Sequence, residues 1–153
     1  MSRYNEDIYF YYVALKTKYV DIEHYKEWLN EVFMNDDQNE IFLDLQICTE
    51  DIDETLSTLN IYLFNKLKSL DYQKIGEMIV SELMIRYTEN PNSLKDLTRK
   101  LYEIWVLLPE DISSKEPFIK MNSIDDPWSW NDEKLVIKNV KWLFDYYNLK
   151  NKV

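Results

Sequence analysis

This sequence predicts an all-α fold, and three observations predict it. In residues 74–87, KIGEMIVSELMIRY, Ile75, Ile79, Leu83 and Tyr87 recur every four residues, the spacing of one helix face. One glycine and four prolines leave little turn chemistry for β-hairpins. Elsewhere, apolar residues recur every three or four positions behind residues that cap helix starts. The expected architecture is a single domain, 1–153, of about six or seven helices packed around a central helix at about 71–89. With 46% hydrophobic and 30% charged residues the composition is globular, long enough for one sizeable core and too short for two ordinary ones.

The central helix is expected to be apolar on most sides, because Met78, Val80, Met84 and Ile85 widen the stripe. The chain's one glycine, Gly76, lies on that face. A helical glycine costs about 1 kcal/mol against alanine, which close approach of another helix would offset. Asp71 is placed to cap this helix, with Leu70 and Ile75 as a hydrophobic staple.

The remaining elements read in order as follows. Residues 5–18 form a first helix with Tyr9, Phe10, Tyr12 and Val13 near its centre. Asp21 caps a second, with Val20 and Tyr25 as staple and Trp28, Leu29, Val32 and Phe33 on its apolar face. Residues 34–40 are a polar loop. Residues 41–48, IFLDLQIC, are a buried helix or a strand, and helix is favoured because no strand partner lies nearby. Thr49 caps the next helix, whose stripe is Ile52, Leu56, Leu59, Leu63 and Leu67. Residues 89–93, ENPNS, end the central helix, and Ser93 with Asp96 has capping-box spacing. The following helix buries Leu94, Leu97, Leu101, Ile104 and Trp105 and stops before Pro109. A long connection, 110–126, docks through Phe118, Ile119 and Met121. Asp126-Pro127 starts the last helix, which buries Leu135, Val136, Val140, Leu143 and Phe144 and ends near Asn148.

Charge is the feature that packing does not explain. The net charge is −10. Residues 1–60 hold 14 acidic and 4 basic side chains, whereas residues 61–153 hold 14 of each. Between Lys26 and Lys66 there is no lysine or arginine, while Glu27, Glu31, Asp36, Asp37, Glu40, Asp44, Glu50, Asp51, Asp53 and Glu54 fall in that gap. A field of one sign repels nucleic acid and anionic membrane and attracts a basic partner. Acids in a helix's first turn are favoured by the macrodipole, by about 0.3–1 kcal/mol each, which accounts for Glu50 and Asp51 but not for so long a gap. Asp36, Asp37, Glu50, Asp51, Asp53 and Glu54 are the candidate partner-binding residues.

Chemistry is poorly supplied. His24 is the one histidine and sits in a helix's first turn, so a Ser/His/Asp or Cys/His pair would depend on it; a capping or surface role is expected. One cysteine and one histidine do not make a zinc site, Glu-x-x-His pairs for a di-iron bundle are absent, and DIDE at 51–54 lacks the glycine and spacing of a calcium loop. With no glycine-rich phosphate loop either, the expectation is no enzyme, no metal and no cofactor. Cys48, in an apolar run, reads as a buried structural thiol. The start, MSRYNEDIYF, carries two acids where a signal peptide needs a basic region and an apolar core, and no apolar run nears the ~20 residues of a membrane span, so a cytoplasmic protein is expected. Trp128 and Trp130 flank a helix start, either clamping it to the core or forming an exposed anchor for a protein partner.

Two longer segments carry a resemblance. IYFYYVALKTKYVDIEHYKEWLNEVF resembles the opening of a bacterial family of small all-α proteins of unknown function, found at polymorphic-toxin loci and held to include immunity proteins. LYEIWVLLPEDISSKEPFIKMNSIDD is similar to that family's later signature, here Pro109, Glu110, Asp111, Phe118, Ile119, Lys120 and Met121; Asn122 and Ser123 depart from it, where a proline would follow the methionine. The resemblance implies a non-enzymatic immunity protein that blocks a toxin, and brings no catalytic residues. With the acidic gap, the expected partner is a basic protein, such as a nuclease toxin. The alternative is a structural or interaction module meeting a host protein through an apolar patch such as Trp128 and Trp130.

Overall fold

The computed structural model describes residues 3–149. Among these the chain is all-helical, without strands. The helices are α1 (Asn5–Lys16), α2 (Ile22–Asn35), α3 (Glu40–Ile47), α4 (Ile52–Leu63), α5 (Tyr72–Glu89), α6 (Leu94–Leu107), α7 (Glu110–Ser113), α8 (Phe118–Met121) and α9 (Glu133–Tyr146). Seven have eight residues or more; α7 and α8 are four-residue helices inside the long connection, 110–126. Short 3-10 turns occupy Leu67–Ser69, Pro91–Ser93 and Asp126–Trp130. The chain divides into two compact units, Met1–Leu70 with α1–α4 and Asp71–Val153 with α5–α9.

In the first unit, α1 buries side chains around most of its circumference, Ile8, Tyr9, Phe10, Tyr11, Val13, Ala14 and Leu15, and packs against α2 and α4. Fully burying one such side chain stabilises by about 1.5–3 kcal/mol. Asp21 caps α2 as its sequence position implies, accepting from the His24 N–H at 2.8 Å, and Val20 and Tyr25 are both buried. Tyr11 packs on Tyr25 and Trp28, and Phe42 of α3 meets Trp28 and Tyr4 edge-on, so α3 is a helix held by an aromatic core. The cap of α4 is Asp51, not Thr49: the Asp51 carboxylate accepts from the Glu54 N–H at 3.1 Å, which ends the 48–51 turn two residues later than read. The buried stripe also differs from the expected one. Thr55, Leu59 and Leu63 are buried, Ile52 is exposed, and Leu56 and Leu67 are half-buried.

In the second unit, Asp71 caps α5, accepting from the Lys74 N–H at 3.2 Å, and Ile75 is buried. Within this unit α5 packs against α6 and α9. Its exposure is broader than the apolar pattern implied. Ile75, Ile79, Val80, Leu83 and Tyr87 are buried, Met78 and Met84 are half-buried, and Ile85 faces water. Gly76 is where a neighbour comes closest: an added Cβ would collide with the Tyr147 hydroxyl and stand 3.0 Å from Phe118 Cζ and 3.1 Å from Tyr147 Cζ. The approach is therefore made by side chains from beyond α9 and from α8. Ser93 does not cap α6 with its side chain; its hydroxyl donates to Asn90 O at 2.6 Å, because the Pro91–Ser93 turn runs straight into the helix. Asp96 pairs instead with Arg99 and Lys100. The last helix begins at Glu133, capped by Asp132, since Asp126-Pro127 opens a 3-10 turn that left-handed Asn131 (φ 58°) terminates. Leu135 and Trp105 are half-buried, where burial was expected, and Ile119 of the docking connection is half-buried too.

Candidate functional site

The sequence-predicted acids divide into three groups. Asp51 serves the fold as the α4 cap. Glu50 is paired, its carboxylate 3.0 Å from Lys26 Nζ, so the lysine that borders the gap in sequence reaches into it in space. This hydrogen bond is the chief reason that the Lys26 ammonium is held above its usual range. The rest face outward. Asp37, Asp53 and Glu54 are exposed and Asp36 is half-buried. Among the described residues, no cation pairs with any of these four, nor with Glu40 or Asp44.

Helix electrostatics separates these acids further. Glu40, Asp53 and Glu54 lie in first turns, where the macrodipole favours them. Asp36 is the C-cap of α2 and Asp37 follows it, at the end where an acid is disfavoured and where α2 carries no base. Asp44 lies mid-helix. Local stability explains the first set and not the second.

Between α3 and α4 lies an open groove of about 610 Å³. From α3 it takes Glu40, Ile41, Asp44 and Ile47, from the turn after it Cys48, and from α4 Glu54, Thr58, Ile61 and Tyr62. In each helix these positions make one stripe at helical spacing, beside the stripe that enters the core. Thr55 Oγ1 donates to Cys48 O at 2.8 Å, fixing the turn that joins the two helices. Tyr62 Oη donates to Asn5 Oδ1 at 2.7 Å, holding the far part of α4 against the start of α1. Ile47 is 83% exposed and Ile61 73% exposed, so two large apolar side chains stand in water beside Glu40, Asp44 and Glu54. Sequence reasoning selected Glu54 of this groove and passed over Glu40, Asp44, Ile47 and Ile61. The available signal was the acid–acid–isoleucine spacing 40/44/47.

Of the other sequence-predicted features, Cys48, His24 and Trp128 have structural roles. The Cys48 thiol is buried near Leu45 O at 3.7 Å and Thr58 Oγ1 at 3.8 Å, with no disulfide. The His24 ring Nδ1 lies 2.9 Å from the Tyr11 hydroxyl and packs on that ring. The two tryptophans part company. Trp128 is half-buried and its indole N–H donates to the buried Thr98 hydroxyl at 2.9 Å, while Trp130 is 66% exposed. Among the described residues, no group of three or more His, Cys, Asp or Glu is placed to hold a metal ion, and no helix is long and apolar enough to cross a membrane. No family model, curated protein or solved structure matches the chain.

Proposed function

We propose that this chain is an immunity-type protein, a non-enzymatic cytoplasmic binder that occludes a basic toxin, possessing no cofactor of its own. One observation carries the reading. The Lys- and Arg-free segment folds into a groove whose exposed isoleucines are bordered by Glu40, Asp44 and Glu54. Like charges gathered on one face raise the rate of encounter with a cationic surface and make it salt-sensitive. A toxin acting on nucleic acid would present such a surface where phosphates bind, and carboxylates would take the phosphates' place. Asp36, Asp37 and Asp53 add to the attracting field, whereas Glu50 and Asp51 are engaged within the chain.

The test is co-expression with the product of the neighbouring gene, followed by capture at two salt concentrations on either side of about 0.1 M, where the screening length is about 10 Å. A basic protein retained at low salt, released at high salt and inhibited in its toxic activity is expected. An acidic partner, or one held equally at both salts, sinks the proposal. The exposed ring of Trp130 favours a second reading, a host-protein contact at that residue. Capture lost in Trp130→Ala and kept when the groove acids are neutralised would establish it instead.

A further inference from the structure

We infer that the α3–α4 groove receives an amphipathic helix of the partner, seating an apolar side chain between Ile47 and Ile61 while its lysines or arginines meet Glu40, Asp44 and Glu54. This rests on the reading of the partner as a basic protein and specifies the element that binds. Exposed Ile47 and Ile61 favour an apolar contact, which a purely ionic partner would leave wet. The acidic border selects cationic flanks, and residues 27–65 carry no Lys or Arg. Of the two lysines that border this segment, Lys26 is engaged by Glu23 and Glu50 while Lys66 lies over the Tyr62 ring at 4.1 Å, so neither is paired with Glu40, Asp44 or Glu54.

The kind of element follows from backbone chemistry and size. Neither groove wall offers a strand edge, so an extended peptide would find no ladder of backbone donors and acceptors; a helix satisfies its own and presents side chains alone. With eight and twelve residues, α3 and α4 run about 12 Å and about 18 Å, enough to line two to three turns of a partner helix. Tyr62 adds an aromatic ring, and its hydroxyl is already engaged by Asn5, so it enters the contact with its conformation set.

The probe is a synthetic helical peptide of about three turns, leucines on one stripe and lysines flanking it, beside a peptide of the same composition with the leucines scattered. Both are titrated into the full chain by fluorescence anisotropy, and the bound site is mapped by amide chemical shifts. The amphipathic peptide should bind at least about tenfold tighter, a difference of about 1.4 kcal/mol, with shifts concentrated in residues 40–62. Ile47→Ser with Ile61→Ser, two exposed positions whose change leaves the helical spectrum intact, should remove that preference. Equal binding of the two peptides, or shifts centred outside 40–62, overturns the inference. Full-length toxin separates the two ideas. If its capture survives the double Ser variant but not neutralisation of the three acids, the helix-in-groove contact is wrong and the immunity reading stands. If the amphipathic peptide binds the groove and no toxin is captured, the contact stands and the immunity reading falls.

Discussion

The two units are both helical, yet they use charge in opposite ways. Residues 1–70 carry 14 acidic and 6 basic side chains, and residues 71–153 carry 14 and 12. In the second unit acids meet bases on the same helix: Glu82 with Arg86, and Asp96 with Arg99 and Lys100. A cleft along α9 is lined by Lys134, Lys138 and Lys141 with the single acid Asp145, a mainly basic surface. In the first unit Lys26 engages Glu23 and Glu50, and most of the remaining carboxylates project a field outward. With the same number of acids, the second unit offsets nearly all of its charge with twelve bases and pairs Glu82, Asp96 and Glu103 along its helices, whereas six bases leave the first unit's face unneutralised. Pairs as exposed as Asp96–Arg99 contribute little to stability, so the contrast bears on partners more than on folding.

The largest expected effect tests that contrast directly. Neutralising Glu40, Asp44 and Glu54 to glutamine should weaken capture of a basic partner by about tenfold to a hundredfold, mostly through slower association. Glu89→Gln with Glu103→Gln in the second unit should leave it within about twofold, a small fraction of 1.4 kcal/mol. Equal losses from the two sets, measured by stopped-flow association at low salt, would break the distinction between the units. Asp132 is unsuited as a control, because it caps α9 by accepting from the Leu135 N–H at 3.1 Å.

Next comes packing in the second unit. Gly76→Ala should destabilise by about 1–3 kcal/mol in urea unfolding, since overpacking against Tyr147 and Phe118 outweighs the roughly 1 kcal/mol gained in helix propensity. The loss should shrink in a Tyr147→Phe background, which removes both the colliding oxygen and a buried hydroxyl without a hydrogen-bond partner. Burial is also the first cause that holds the Tyr147 phenol well above its usual range, so its ionised form gains nothing from the fold. A Gly76→Ala chain more stable than the parent would show that the approach is loose.

The cap of α4 gives a smaller effect. Asp51→Ala should cost about 1 kcal/mol and Thr49→Ala only a few tenths, by thermal or urea unfolding. The reverse order would restore the sequence-based assignment. The smallest effect concerns Asp96, whose carboxyl is held below the ordinary 3.8, first by its hydrogen bond from Lys100 and against the influence of burial. A depressed folded value means that the stabilisation is complete above the unfolded value and is lost as pH falls through the folded one. Lys100→Met should therefore lower stability slightly at neutral pH, and the gap from the parent should close as acid titrates below 3.8. A gap that widens in acid contradicts the pairing.

How far the fold could be read in advance is clearest at helix starts. Asp21 and Asp71 cap where their positions imply, because the bond from side chain to backbone N–H spans three residues and depends on little else. Residues 41–48 were assigned as helix by the want of a strand partner. The misplaced starts share a cause. Thr49, Ser93 and the Asp126-Pro127 pair each had a better-placed competitor or a short turn beside them, and which one wins depends on how the neighbouring segment returns to the core. Of the candidate acids, sequence could list the lysine-free gap but could not distinguish Glu50, met by Lys26 from 24 residues away, from Glu54, which lines the groove.

By itself the sequence determined the helical class, the Asp21 and Asp71 caps, the −10 charge and its concentration before residue 60, because these rest on local periodicity, short-range hydrogen bonds and composition. Tertiary structure alone decided which faces stay open. Ile47 and Ile61 are written in the chain as ordinary apolar residues, yet α3 buries Ile41, Phe42 and Leu45 and α4 buries Thr55, Leu59 and Leu63 instead. The hydrophobic effect has no direction, so a pattern of apolar residues says how much surface a helix wishes to bury and not which part its neighbours will cover. The groove is one part left uncovered; Met34, Phe64 and Trp130 are others.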